Sequence, residues 1–150
     1  EPQSETVWKQ SEKYHIPKIA FINKMDRIGA SFETVLEAMR QKLQVTPVPI
    51  QVPLGEGEDF KGVIDVLRME KLKFNPDDQG RTFERIPLTG EEETYALKWR
   101  EYLFEQLAEI DDTLLEAYLE GQEVSLDEVN RVLRKGTLEL KIVPVLAGSA

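Results

Sequence analysis

Asn23-Lys24-Met25-Asp26, delivered by the short apolar run Lys18-Ile19-Ala20-Phe21-Ile22, decides how the rest of the chain is read. Open α/β sheets bind ligands at the carboxyl ends of their strands, where a strand gives way to a polar loop. These residue types match one base. The Asp26 carboxylate can accept two parallel hydrogen bonds from N1–H and the exocyclic amino group of guanine. The Asn23 amide can donate to N7, and Lys24 can lay its methylenes along the ring face. Adenine sets an acceptor against that carboxylate, and a buried polar group left unpaired loses about 1–3 kcal/mol. A plainer reading has Asp26 capping a helix that starts near Ser31, with Asn23 and Lys24 as solvated turn residues.

A second apolar run, Lys141-Ile142-Val143-Pro144-Val145-Leu146-Ala147, leads into Gly148-Ser149-Ala150. Gly-Ser-Ala alone marks an ordinary turn. If the two runs are parallel neighbours, however, the Ala150 N–H reaches guanine O6 and the Ser149 hydroxyl orients Asp26.

The 150 residues are 41% hydrophobic and 31% charged, a composition that can build one fair-sized core or two small ones. There is no cysteine, which excludes disulfides and thiolate metal sites and fits a reducing, cytoplasmic setting. No run of about 18 apolar residues marks a membrane span. The chain begins at Glu1-Pro2 without a Met and stops on a half-finished loop, so it reads as a piece of a longer protein. Of the net charge of −9, the segment Glu84–Glu128 carries 14 acidic against 3 basic residues. Such a surface repels phosphate backbones, so no direct nucleic-acid contact is expected there and a basic protein is the expected partner.

Helical spacing covers Ser4 to Tyr14, with Val7, Trp8, Ser11 and Tyr14 on one side, and a second helix presents Phe32, Val35, Leu36, Met39 and Leu43. His15, with no second His and no Cys, reads as a loop residue. From Gln44 the character changes. Prolines 47, 49 and 53 confine Val45–Leu54 to an edge strand or an extended connector, because each removes a ladder donor. Gly55-x-Gly57 is no phosphate loop, since two acidic residues follow and no Lys-Ser or Lys-Thr does. Residues 63–67, 71–74 and 81–86 read as strands of a small sheet.

Glu91 to Tyr118 reads as one long helix, or two in line broken near Asp111-Asp112, with Leu103, Leu107, Ile110 and Leu114 covering the small sheet. Opposite them Glu105, Glu109, Asp112 and Glu116 form an acidic stripe. Like charges at such spacing repel by a few tenths of a kcal/mol per pair, roughly, so a basic partner would explain them, although a solvated face is the plainer account. Ser125 to Glu128 is a capping box that opens a last helix, expected to close at Gly136.

Glu1–Trp8, Ile19–Arg27, Val48–Gln51, Gly62–Asp65, Tyr118–Gly121 and Pro144–Ala150 together resemble bacterial elongation factor G, across the full 150 residues. The resemblance implies an α/β fold: part of a P-loop GTPase domain, with parallel strands and helices, carrying an inserted small α+β subdomain. Residues 1–43 and 139–150 would supply the guanine-binding portion and residues 44–138 the insert. It also implies GTP or GDP as ligand, with Mg²⁺ in the parent protein, and a ribosomal GTPase that drives translocation of tRNA and mRNA. The family's insert touches the stalk protein of the large ribosomal subunit through an acidic helix, which maps onto Glu105, Glu109, Asp112 and Glu116. Thr113 and Leu114 interrupt that acidic run. A ribosome protection protein, a release-cycle factor or a duplicated elongation factor G is the alternative.

One departure from the family pattern matters. None of the nine glycines begins Gly-x-x-x-x-Gly-Lys-Ser/Thr, and the switch regions are absent. Without that backbone cradle, its Lys and the Mg²⁺-holding hydroxyl, charge on a transferring phosphoryl group has nothing to stabilise it. These residues alone are expected not to hydrolyse GTP, and to bind the nucleotide with only about 4 kcal/mol, a millimolar affinity.

Overall fold

The computed structural model describes residues 1–149. In chain order the elements are α1 (Pro2–Lys13), β1 (Ala20–Ile22), α2 (Phe32–Ala38), β2 (Pro47–Pro49), β3 (Gln51–Leu54), β4 (Gly62–Asp65), β5 (Glu70–Phe74), β6 (Phe83–Pro87), α3 (Glu91–Ala108), α4 (Asp112–Leu119), α5 (Leu126–Leu138) and β7 (Val143–Ala147). They build a mixed α/β fold with two sheets. One is parallel, in the order β1-β7-β2, and the other is an antiparallel meander, β3-β4-β5-β6. β7 therefore slots between two strands laid down much earlier in the chain.

The prolines explain how the two sheets are joined. Val143 N–H donates to the Thr46 carbonyl and Ile50 N–H to the Val145 carbonyl, so the even residues of this segment bond to β7, and the nitrogens of Pro47 and Pro49 are turned to the other side, where the Tyr102 hydroxyl donates to the Pro47 carbonyl. At Ile50 the ladder changes partner: its carbonyl accepts from Val66 N–H, and β3 runs on as the edge of the small sheet. Leu54 accepts from Lys61 N–H there, so the nitrogen of Pro53, a buried residue, is again turned away from the ladder. Prolines at alternate positions thus cost no ladder bonds. The parallel sheet takes in residues 47–49, which the sequence reading assigns to the insert.

Pro144 has the opposite effect. Gly148 N–H donates to the Ile22 carbonyl, and going down β7 by twos the next donors toward β1 are Leu146 and then Pro144, which has no N–H. β1 accordingly starts at Ala20, two residues later than its apolar sequence would allow.

A single buried cluster spans both sheets and the helices between them. Phe32, Leu36, Val48, Val52, Ile64, Leu103, Leu107, Val132 and Val145 are all fully buried. Ser31, not Asp26, caps α2, its hydroxyl accepting from Thr34 N–H. α1 contributes little to the core: Val7 and Tyr14 are 60% and 70% exposed, and only Trp8 packs inward from the expected face. His15 ends α1 in a left-handed conformation, as an exposed loop residue.

Three expectations for residues 91–138 need correction. α3 and α4 are not in line. Fourteen residues along one helix span about 21 Å, yet the Phe104 and Tyr118 rings stack 6.1 Å apart, so α4 folds back on α3 at the Asp111 cap. α3 packs chiefly on β2, α4 and α5, with Trp99 edge-on to Phe32 of α2, instead of lying flat over the small sheet. Gly136 does not stop α5, which continues to Leu138. A Cβ at Gly136 would stand 2.5 Å from Ile110 Cδ1 and 3.0 Å from Ile142 Cγ1, so this glycine lets the helix pass close to the core.

Candidate functional site

The loops after β1 and β7 are tied together through the backbone. Gly148 N–H donates to the Ile22 carbonyl and Met25 N–H donates back to the Gly148 carbonyl, each at 3.1 Å. The Met25 side chain is 1% exposed and anchors the loop in the core, while Asn23, Lys24 and Asp26 stay outside. Lys24 sits in the left-handed region at φ 62°, a placement that costs a non-glycine residue about 1 kcal/mol and persists only where neighbours impose it. They do: Asn23 Oδ1 accepts from Lys24 N–H at 2.7 Å, and the Lys24 carbonyl accepts from Arg27 N–H at 3.2 Å.

Ser149 Oγ donates to Asp26 Oδ1 at 2.6 Å. An ionised carboxylate offers about four acceptor positions, so one such bond orients Asp26 and leaves capacity for a bidentate donor pair. Ala150 lies outside the described residues. Behind the pair, the Phe21 ring lies against Gly148, where a Cβ would come within 2.9 Å of Phe21 Cζ. Any side chain at residue 148 would push that ring away or lift the Ser149 loop.

Asp26, Ser149, Phe21 and Gly148 form one side of a cleft of about 710 Å³. The other side comes from the small sheet, through Phe60, Lys61, Lys73 and Phe74. A half-exposed aromatic ring, a carboxylate with spare acceptor capacity and two lysines make a setting for a flat, donor-edged ring that carries negative charge elsewhere. The acidic balance of the chain gives no hint of this basic margin.

Sequence reasoning also missed the support behind the loop. Gly57 N–H donates to the Met25 carbonyl at 2.8 Å, and Glu56 Oε1 accepts from Phe32 N–H at 3.0 Å. No local pattern marks these two residues, because their partners lie more than 20 positions away.

Glu105, Glu109, Asp112 and Glu116 are all exposed, but the fold-back at Asp111 divides them. Glu105 belongs to α3, Glu109 ends it, and Asp112 and Glu116 lie on α4. The single helical stripe drawn from intervals of four, three and four requires a continuous helix and is replaced by a cluster around a corner. Among the described residues, no group of three or more His, Asp or Glu is placed to hold a metal ion. No helix among them is long and apolar enough to cross a membrane.

A family model described as the elongation factor Tu GTP binding domain matches residues 1–150. Among solved structures, the chain is similar to one described as the crystal structure of ttk003000868 from Thermus thermophilus, at 27% identity and a TM-score of 0.80. That similarity covers 97% of this chain and 21% of the Thermus chain, so these residues span about a fifth of that relative.

Proposed function

Because the chain belongs to the elongation factor Tu GTP-binding domain family, we propose that it is the guanine-recognising portion of a translational GTPase of the elongation factor G type. Residues 1–43 and 139–150 carry the base-reading loops in this reading, and residues 44–138 are an inserted subdomain. The observation that carries it is the Ser149–Asp26 bond, set between two loops that are already joined by reciprocal backbone bonds. A carboxylate so held accepts N1–H and the exocyclic amine of guanine in parallel, with Asn23 and Lys24 on the same loop for N7 and the ring face. Phosphate contacts, Mg²⁺, GTP hydrolysis and translocation on the ribosome then belong to the longer protein, because none of these residues forms a phosphate cradle.

An amide NMR titration with GDP, and with ADP as control, tests this. Shifts at Asn23–Arg27 and at Gly148 and Ser149 with GDP alone are the expected result. Equal shifts with ADP, or none with either in a well-dispersed spectrum, would count against base reading by these residues.

A second reading concerns the acidic corner. Glu105, Glu109, Asp112 and Glu116 lie exposed around the α3–α4 turn, a placement that suits a basic protein, and within this family reading the stalk protein of the large ribosomal subunit is that partner. Glu109→Lys should weaken stalk-protein binding and leave the GDP shifts alone. Asp26→Asn should do the reverse, and variants that behave alike would end the two-surface account.

A further inference from the structure

Met25 is clamped on both sides of its backbone: its N–H by Gly148 and its carbonyl by Gly57. The Met25 carbonyl and the Asp26 N–H belong to one rigid peptide plane. The Gly57 bond therefore sets the plane from which the Asp26 side chain departs. The neighbouring residue reaches the other end of the same loop, where Glu56 Oε1 accepts from Phe32 N–H as α2 begins. Between these two anchors Arg27, Ile28 and Gly29 are exposed, with Ile28 at 86%.

The turn that supplies both anchors continues directly into the small sheet. Lys61 N–H closes it onto the Leu54 carbonyl, and Phe60 and Lys61 face the same cleft as Asp26. Gly57 takes φ +60°, a left-handed conformation that favours glycine, while a Cβ there would make only ordinary contact, 3.4 Å from the Arg27 carbonyl oxygen.

We propose that Glu56 and Gly57 are positioning residues for the base-reading loop, through which the small sheet sets guanine selectivity. This rests on the guanine reading above. A shift of the small sheet turns the Met25–Asp26 peptide plane and misaims the carboxylate. By linkage, guanine bound at Asp26 must in turn tighten the contacts at Gly57 and Phe32.

The test compares wild type, Glu56→Ala and Glu56→Gln of this 150-residue chain by amide NMR. Titrations use GDP and inosine diphosphate, which lacks the exocyclic amine, so the preference between them reads how well Asp26 is aimed. Glu56→Ala should reduce that preference about threefold to tenfold, the weight of one hydrogen bond, and should speed exchange of the Met25 amide without any nucleotide. Glu56→Gln keeps an acceptor for Phe32 N–H and should behave as wild type in both respects. In the wild type, GDP but not ADP should slow exchange at Gly57 and Phe32, a response that needs no variant. An unchanged preference and unchanged Met25 exchange in Glu56→Ala, or shifts at Asn23–Asp26 with no protection at Gly57 and Phe32, would overturn the proposal. A wild-type chain that fails to prefer GDP over inosine diphosphate overturns the guanine reading instead, and nucleotide-free Met25 exchange then decides the positioning role alone.

Discussion

Ser149 Oγ lies 2.6 Å from Asp26 Oδ1 and donates to it, joining residues 123 positions apart. The bond follows from strand register. Ile22 pairs with Ala147 at the top of the parallel ladder, so the loops that leave β1 and β7 start level with each other. A carboxylate aimed in this way can tell a base with two adjacent donors from a base without them.

Asp26→Asn should change which base is accepted as well as how tightly. An amide presents one donor and one acceptor, which fits the N1–H and C2 carbonyl of xanthine and not the two donors of guanine. GDP affinity should fall about tenfold to a hundredfold, the cost of a charge-assisted bond and a misfit, while xanthosine diphosphate binding rises. Calorimetric or NMR titration with both nucleotides checks this; an Asn variant that still prefers GDP would remove Asp26 from the base edge.

Ser149→Ala should act through Asp26. The pair is exposed, so its loss should leave thermal stability within about 0.5 kcal/mol of wild type. GDP affinity should fall about threefold to tenfold as the carboxylate loses its fixed orientation, and Ser149→Thr, which keeps the hydroxyl, should restore it. Equal GDP affinities for Ala and wild type would make the hydroxyl incidental.

The two apolar runs were legible as strands because each is short, continuous and followed by a polar loop, while their parallel pairing entered only as a condition that the β1–β7 ladder meets. That Val45–Leu54 is an edge strand or an extended connector was legible because prolines at alternate positions keep it out of a sheet interior, and the structure makes it an edge strand of each sheet in turn. What could not be read was long-range. Nothing near Asp111 says that α4 turns back instead of continuing, since that depends on Phe104 meeting Tyr118. Gly136 looks like a helix stop by local rules and is instead a point of close packing, a distinction that only Ile110 and Ile142 supply. Glu56 and Gly57 are ordinary turn residues until the loop they hold is placed beside them.

Gly136→Ala tests that packing. Alanine is worth about 1 kcal/mol over glycine inside a helix, so a helix with room to spare would become more stable. Overpacking a tight core costs about 1–3 kcal/mol, and the new methyl would meet Ile110 Cδ1 at 2.5 Å. Net destabilisation of about 1 kcal/mol is therefore expected by urea unfolding. Adding Ile110→Val, which deletes that Cδ1, should recover part of the loss; a stabilised single variant would mean that the contact relaxes freely.

The stability of the α4–α5 corner should depend on pH through Asp111. Its carboxyl accepts from Leu114 N–H as the cap of α4 and pairs with Arg131 on α5 at 3.1 Å, with Lys135 further off at 3.8 Å. The Leu114 N–H first, and the Arg131 guanidinium after it, hold this carboxyl below its usual range, against burial that pushes it up. A depressed carboxylate stabilises the fold above its unfolded value of about 4 and loses that contribution as the pH falls through its folded value. Asp111→Asn keeps an acceptor for Leu114 but carries no charge for Arg131. The gap in urea midpoint between wild type and this variant should be largest at neutral pH and shrink as the pH drops below about 4. Glu128 shares Arg131 and is repelled by the Asp111 charge only in the wild type, so removing that charge lowers the Glu128 carboxyl further and offsets part of the gap. A gap that stays constant down to acid pH would show that Asp111 acts only as a neutral cap, leaving the apolar contacts of Ile110 and Leu114 to hold the corner.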